Sequence, residues 1–343
     1  MEDDETVNWS PWHDQLHRHL LQRSGLLPKG QAILLAVSGG QDSMALLGLA
    51  RDLIRHHHWT LHVWHGNHGW HQDAQRCCDE LKVWCQEQDF VFFSDTANPV
   101  EVQSEAKARA WRYHCLETTA RRLKAVVSTA HTATDKTETF LLQLARGTDL
   151  RGLSSLREQR PLSEQKPEGI QLSRPMLIFK RKQTLEICRA LKVPIWNDPT
   201  NASALFARNR IRNEVLPVLE ELYPGCDGRI SNLSERLSKT HDIQQELVDQ
   251  CLKANETSNQ QTRQLISNSS LQLRRILMNR WMTQRGTPQL NAIELDRLCR
   301  RLGPSQPPGK TDLAGGWQIS WTKHFLRLDP PDSYSHADTH RQG

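Results

Sequence analysis

The sequence predicts an α/β fold: a parallel sheet with helices on both faces, followed by a smaller, mainly helical C-terminal domain with a short β element. Three observations predict it. Short apolar runs alternate with amphipathic stretches through the first two-thirds of the chain, the pattern of strands joined by crossover helices. The first run, Ile33-Leu34-Leu35-Ala36-Val37, passes through a double-glycine turn into Met44-Ala45-Leu46-Leu47-Gly48-Leu49-Ala50, so strand, turn and helix follow without a linker. From about Tyr223 the alternation stops and long helical periodicities replace it.

In chain order, residues 7–29 read as an N-terminal helix with Leu16, Leu20 and Leu21 on one face, ended near Gly25 and Pro28; residues 1–29 form the lead-in. Within 30–222, strands are expected at 33–37, 61–64, 90–93 and 125–129. The helices between them fall at about 73–88 and 104–123, with a further helix at 134–146. The helix at 104–123 places Ala106, Ala110, Tyr113, Leu116 and Ala120 at helical spacing. Residues 157–173, with Pro161, Pro167 and Gly169, read as a surface loop. Residues 175–178 look like a short strand, 182–191 a helix, and Trp196-Asn197-Asp198-Pro199-Thr200-Asn201 a turn. Residues 223–329 hold one helix marked by Ile230, Leu233, Leu237, Leu247 and Cys251. A second is marked by Leu273, Ile276, Leu277 and Trp281, and a third by Ile293, Leu298 and Leu302. Trp317, Ile319 and Trp321 alternate like a strand on which 325–328 can pair back, and the polar tail 330–343 is expected to be disordered.

At 343 residues the length suits two domains, and the 37% hydrophobic content supports packed cores. No apolar run approaches the ~20 residues that span a bilayer. The acidic start Met1-Glu2-Asp3-Asp4-Glu5 has no signal-peptide order. The eight cysteines are scattered without a Cys-x-x-Cys, which fits reduced thiols in a cytoplasmic protein rather than a disulfide framework or a zinc site. Net charge is +5, unevenly spread: residues 1–90 hold 7 Lys+Arg against 12 Asp+Glu, the remainder 37 against 27. A basic C-terminal two-thirds fits a polyanionic partner.

The turn after the first strand is Ser38-Gly39-Gly40-Gln41-Asp42-Ser43. A helix start leaves N–H groups unpaired and carries partial positive charge, and the glycines let several N–H groups converge on an anion. Ser38 and Ser43 add hydroxyls, and Gln41 its backbone N–H. Asp42 would repel a phosphate, and makes sense if Mg²⁺ bridges carboxylate and phosphate. The residues alone therefore indicate a nucleotide site with a metal. In a parallel sheet the loops after all the strands emerge at one edge, so residues 38–43, 65–71 and 131–138 are expected to share one site. Glu105, Arg109 and Arg112 lie on one face of the long helix, either as surface salt bridges or with a guanidinium on a phosphate or carboxylate. In His131-Thr132-Ala133-Thr134-Asp135-Lys136-Thr137-Glu138, Asp135 and Glu138 share a helix face and can hold Mg²⁺ or a cationic substrate.

The loop resembles the PP-loop signature Ser-Gly-Gly-x-Asp-Ser of the ATP pyrophosphatase superfamily. The signature is followed in order by His65-Gly66-Asn67-His68-Gly69, by Glu105-Ala106 with Ala108-Arg109 and Arg112-Tyr113, and by His131 with Asp135 and Glu138-Thr139. Arg146-Gly147, Leu150-Arg151-Gly152-Leu153, Arg174-Pro175, Asn197-Asp198-Pro199-Thr200-Asn201 and Arg208-Asn209-Arg210-Ile211-Arg212 complete the series. In this order, over residues 30–220, the chain resembles the tRNA(Ile)-lysidine synthases. Thr134 and Lys136 stand where that family commonly has Asp and Gln, and Trp70-His71 where it has Leu-Arg. The first departure, Thr134 in place of an Asp, removes a paired-Asp scheme and leaves Asp135 as the favoured acid.

The resemblance implies an adenine nucleotide alpha hydrolase-like fold, ATP on Ser38, Gly39, Gly40, Gln41, Asp42 and Ser43, and Mg²⁺ on Asp42 and Asp135. It implies that O2 of the wobble cytidine of tRNA(Ile) with a CAU anticodon is adenylated, and that the ε-amine of free L-lysine then displaces AMP. A lysine nucleophile must be neutral when it attacks; His131 and Asp135 are the candidates for the base. Glu138 is a candidate for lysine's ammonium groups, and Arg109 or Arg112 for a phosphate or the lysine carboxylate. Arg208 and Arg212, flanked by Arg210, with Arg274, Arg275, Arg280, Arg285, Arg297, Arg300 and Arg301, are the expected tRNA platform, and Asn209 beside them is a candidate substrate contact. Pairing into a homodimer stays open. The rivals are a thiolase of the same superfamily, which usually needs a cysteine pair or a Cys-x-x-Cys cluster site, a small-molecule amidotransferase, and an inactive tRNA-binding module.

Overall fold

The computed structural model describes residues 9–69, 73–98, 100, 102–154, 156–163, 168–196, 207–257 and 260–331. The chain forms two compact units, Met1–Ser238 and Lys239–Gly343, divided inside its longest helix. Among the described residues no helix is long and apolar enough to cross a membrane.

The first unit opens with α1 (Pro11–Gln22), capped by Ser10. Leu16 and Leu20 are buried, but Leu21 is 63% exposed, one residue off the apolar stripe it was expected to share. Strands β1 (Ala32–Ala36), β2 (Thr60–Asn67), β3 (Val91–Thr96) and β4 (Val126–Thr129) alternate with α2 (Gln41–His57), α3 (Ala74–Glu87) and α4 (Glu105–Leu123), and α5 (Ala133–Ala145) follows β4. On β1, Ile33 and Leu35 join a core with α1 and α2, whereas Leu34 joins a second core with Leu116 and Ala120 of α4. The alternate faces of one strand thus bury separate helix layers. Helix α4 uses Ala108, Leu116, Thr119 and Ala120 for its buried face; Ala106 and Ala110, expected there, are exposed.

After the short α6 (Leu150–Leu153), the stretch 157–173 departs from the expected loop. It carries β5 (Gln159–Pro161) and β6 (Gln171–Ser173), antiparallel to each other, with β6 parallel to β4. Residues 175–178, expected as a strand, form a single 3₁₀ turn opened by Pro175. The sheet order is β3-β2-β1-β4-β6-β5. From β1 the chain turns to β2 on one side and returns to β4 on the other. The crevice beyond the carboxyl ends of β1 and β4 is therefore the topological switch point, where open α/β sheets bind ligands. Helix α7 (Arg181–Ala190) packs beside α2, and α8 (Ala207–Arg210) leads through a π-helical turn (Ile211–Val215) into α9 (Leu216–Leu222) and the long α10 (Cys226–Ala254). The turn motif at 197–201, together with Trp70 and His71, lies outside the described residues.

The second unit adds β7 (Glu256–Thr257), β8 (Gln260–Thr262), α11 (Arg263–Asn268), α12 (Leu271–Gln284), α13 (Ala292–Arg301), β9 (Gly309–Asp312), β10 (Gln318–Trp321) and β11 (Phe325–Asp329). The β10–β11 hairpin pairs as the Trp317/Ile319/Trp321 alternation implied, inside a five-stranded antiparallel sheet with order β7-β8-β11-β10-β9. Of the tail, residues 332–343 are outside the described residues. Arg274, expected on a tRNA platform, is 7% exposed. Its guanidinium donates to the carbonyls of Ile266, Ser267, Ser269 and Cys299 at 2.7–2.9 Å, joining the end of α11 to α13. Arg280 binds Asp249 through two 2.6 Å bonds, Arg275 pairs with Asp296, and Arg285 pairs with Glu256. Arg297 and Arg300 are exposed. Arg274→Ala leaves four carbonyls without their donor and is expected to destabilise the protein by about 3 kcal/mol. Urea unfolding followed in the second unit checks this; an unchanged midpoint would mean that water replaces the guanidinium freely.

Candidate active site

Gly40 opens α2 without a side-chain cap, so the first-turn N–H groups stay available to an anion. Gly39 adopts φ +86°, a left-handed conformation natural to glycine, and a Cβ there would sit 3.4 Å from Trp196. Trp196 also donates its N–H to the Gly39 carbonyl at 2.9 Å and its indole N–H to Glu80 at 2.7 Å, bracing the turn from outside. The serines close the turn. Ser43 Oγ donates to the Gly40 carbonyl at 2.9 Å and accepts the Ser38 N–H at 3.2 Å. Gln41, expected to contribute its backbone N–H, also sends its side-chain amide to the Arg181 carbonyl at 2.8 Å and to Thr184 Oγ1 at 3.0 Å.

Asp42 faces α7. Thr184 Oγ1 donates to Oδ1 at 2.5 Å, and the Arg181 guanidinium pairs with Oδ2. Burial pushes the Asp42 carboxyl above its ordinary value, and Arg181 and Thr184 offset this only in part. Neither partner was foreseen in the sequence. The available signal was an anomaly: Lys180-Arg181-Lys182 stands at the start of a helix, where the dipole disfavours cations, so an acid nearby is called for.

His65, Gly66 and Asn67, expected in a loop, are the last residues of β2. His65 is buried and donates Nδ1–H to the Val37 carbonyl at 2.8 Å, fixing the backbone just ahead of the turn; burial lowers its pKa. Asn67 Oδ1 accepts the Gly69 N–H at 2.9 Å.

Beyond β4, Thr132 caps α5 in a reciprocal capping box. Asp135 Oδ2 accepts from Thr132 N–H at 2.7 Å and from its hydroxyl at 2.8 Å, and the Thr132 hydroxyl receives the Asp135 N–H. Asp135 Oδ1 faces Arg208 at 3.0 Å and Arg212 at 3.4 Å. Burial alone would raise its pKa, but Arg208 and the Thr132 bonds outweigh that and hold it low. Glu138 is fully buried beneath the same arginines. Arg208 Nε reaches Oε2 at 2.8 Å and Arg212 Nε reaches Oε1 at 2.5 Å. This corrects two expectations. Glu138 faces the arginines instead of standing open to an ammonium group, and Arg208 and Arg212 sit over the acids of α5 instead of on an outer platform. Arg212 belongs to the π-helical turn, a distortion that often marks functional sites.

His131 is hydrogen-bonded through Nδ1 to Thr129 Oγ1 at 2.9 Å. Burial first, then Arg174 and Arg208, push its pKa well below the ordinary imidazole value, so it stands neutral. Thr134 accepts the Arg181 N–H at 3.2 Å, and Lys136 lies 3.9 Å from Glu235. Thr134 and Lys136 therefore serve the joints of α5 with α7 and α10.

One cavity of about 440 Å³ gathers these parts. Ser38, Gly40, Asp42 and Ser43 line it from the turn after β1 and the start of α2, and His131 and Asp135 from the loop after β4 and the start of α5. Arg208, Asn209 and Arg212 line it from α8 and the π turn. Arg109 and Arg112, with Glu105, face it from α4, so that spacing is more than surface decoration. Gly39, Gln41 and Glu138 act from behind the lining. Among the described residues no three His, Cys, Asp or Glu side chains are arranged to hold a metal by themselves. The cavity presents a turn of N–H groups, one carboxylate beside them, a neutral imidazole and a set of guanidiniums, which suits transfer of a phosphoryl-bearing group between bound substrates.

The PP-loop domain family matches residues 13–219. A tRNA(Ile)-lysidine synthase of Parasynechococcus marenigrum is 51% identical over 323 residues, covering 94% of this chain and 96% of that protein. One of Prochlorococcus marinus is 42% identical over 328 residues, covering 93% and 96%. One of a Nostoc species is 36% identical over 301 residues, covering 87% and 86%. Among solved structures, the U34-tRNA thiolase NcsA from Methanococcus maripaludis, with its iron–sulfur cluster, superposes with TM-score 0.56 at 17% identity. That likeness covers 66% of this chain and 79% of that one, and it is one of fold.

Proposed function

The chain belongs to the tRNA(Ile)-lysidine synthase family, and on that premise we propose that it joins free L-lysine to C2 of the wobble cytidine of tRNA(Ile) with a CAU anticodon, using ATP. The observation that carries the reading is the single cavity at the switch point, where the Asp42 turn and the His131–Asp135–Arg208 group face one space. The turn at residues 38–43 receives the β,γ-pyrophosphate of ATP on its N–H groups. Cytidine O2 attacks the α-phosphorus and pyrophosphate leaves. The neutral ε-amine of lysine then attacks C2, the C2–O2 bond breaks and AMP departs.

A Mg²⁺ that travels with ATP phosphates needs only one or two protein carboxylates. Asp42 is the residue for that role: it is the carboxylate at the turn, beside the N–H groups that would receive the phosphates, and it already takes a cationic partner in Arg181. Held there by Asp42, the ion would supply positive charge to the phosphates. The second metal position suggested for Asp135 is less favoured, because both its oxygens are committed to the cap and the arginines. His131, held neutral, is the group available to take a proton from the lysine ammonium. Arg112 and Arg109 supply positive charge for the α-phosphate or the lysine carboxylate. With Asp135 and Glu138 neutralised by Arg208 and Arg212, lysine's ammonium can bind the acids only if those arginines move to the substrate phosphates.

The thiolase rival gains nothing from the shared fold, since the chain has no Cys-x-x-Cys. The test is incorporation of labelled lysine into a tRNA(Ile) transcript with a CAU anticodon, in the presence of ATP. Lysine is expected to enter in proportion to AMP formed, and arginine or ornithine is expected to give no product. Pyrophosphate release without amino-acid incorporation would sink the ligase reading, and no release at all would leave a binding module.

A further inference from the structure

Three carboxylates line the cavity among the described residues: Asp42, Asp135 and Glu105. The first two are spent on Arg181 and Thr184, and on Thr132 and two arginines. Among the described residues the Glu105 carboxylate makes no hydrogen bond and no ion pair. It is the first residue of α4, after the Ser104 cap, and an acid there is favoured by the helix dipole. The dipole explains an acid at this position but not its place in the cavity wall, within electrostatic reach of Arg112 and Arg208. The same cavity is lined by the rings of Trp64, His68 and Tyr113, the kind of surface that receives an unstacked base.

We infer that Glu105 reads the exocyclic amine of the target cytosine and so sets the base specificity of the adenylation step. The inference rests on the function proposed above. An ionised carboxylate only accepts hydrogen bonds. Cytosine presents an N4–H donor at the position where uracil presents the O4 acceptor, and Glu or Asp is the usual acceptor for cytosine N4. The chemistry adds a second reason. When O2 attacks the α-phosphorus, the O2–P bond forms, the bond to the bridging oxygen breaks, and pyrophosphate leaves with the electron pair. The pyrimidine ring then carries one positive charge, shared onto N4, whose N–H donates more strongly to a carboxylate. Glu105 therefore favours cytosine on binding and favours it further as charge develops. Uracil would set two acceptors against each other.

The experiment follows tRNA-dependent pyrophosphate release without lysine, using transcripts with C or U at the wobble position, for the wild-type enzyme and Glu105→Gln. Substitution of an exposed first-turn residue leaves the fold intact, which a thermal melt verifies. The wild type is expected to prefer C strongly. The variant is expected to react about tenfold more slowly with C and no more slowly with U, shrinking the preference by roughly the same factor. The KM for ATP stays unchanged, and Glu105→Asp recovers part of the preference. An unchanged C/U ratio overturns the inference, as does a defect confined to the KM for lysine when the complete reaction is run with lysine added, which would give Glu105 to the ammonium group. A wild-type enzyme that releases no pyrophosphate with either transcript overturns the underlying function, an outcome distinct from both.

Discussion

The Asp42→Asn enzyme releases pyrophosphate on tRNA addition roughly 100- to 1,000-fold more slowly than wild type, while folding at least as stably. Asparagine keeps the shape and still accepts from Thr184, but removes the turn's carboxylate charge, the one proposed above to meet a phosphate-borne cation. The stability half follows from the raised pKa of Asp42. A carboxyl whose pKa is higher folded than unfolded holds its proton more tightly in the fold. Its contribution to stability is thus full below the ordinary carboxylate range and is lost as pH rises through the raised folded value. A neutral amide escapes that loss, so the variant's stability relative to wild type improves across the same window. Pyrophosphate release and urea midpoints at several pH values check both halves together. A variant that is slow because it is unfolded, or that releases pyrophosphate at a near-normal rate, would refute the role given to Asp42. This is the trade of stability for activity expected where a site holds a charge that the fold alone would not choose.

Glu138→Ala is expected to lower stability by about 3–5 kcal/mol, the range for breaking a buried pair from one side. Glu138 is wholly buried and holds Arg208 and Arg212 on its two oxygens. Its removal leaves two guanidiniums sharing Asp135 Oδ1, the longer of whose contacts is already 3.4 Å. Glu138→Gln keeps the volume and one acceptor and should cost less. Urea unfolding with an unchanged m value measures the difference. A loss below about 1 kcal/mol would mean that the arginines turn to solvent without penalty, as exposed pairs do.

Much of the site was legible because its strands are continuous apolar runs and its loops carry chemistry at fixed offsets. Ile33, Leu34 and Leu35 have no other plausible fate than a buried strand, and the turn after them follows from its glycines. The alternation of elements then brought His131 and Asp135 to the same edge. Other features were closed to sequence reasoning for definite reasons. Strand β6 has a single apolar residue, Leu172, and exists because β4 offers it an edge. Residues 175–178 are apolar, but Pro175 fixes φ and removes a donor, and a 3₁₀ turn results. Arg274 looks like any surface cation on a helix, and only the tertiary fold surrounds it with carbonyls. Arg208, Arg212 and Glu138 were found as residues, but their mutual pairing depends on two helices about seventy residues apart, and no local pattern encodes it.

The contact between the glycine turn and α7 also has a consequence for the order in which the protein is made. Arg181 and Thr184 reach Asp42 across sequence separations of 139 and 142 residues, and Gln41 crosses a similar distance. Contacts this distant form only after a costly loop has closed. On the ribosome, β1 and α2 emerge and can pack long before α7 exists. The nascent chain therefore passes through a stage in which the turn has its sequence but lacks its brace. The turn acquires this brace as a late event of synthesis, when the chain beyond Thr184 clears the exit tunnel.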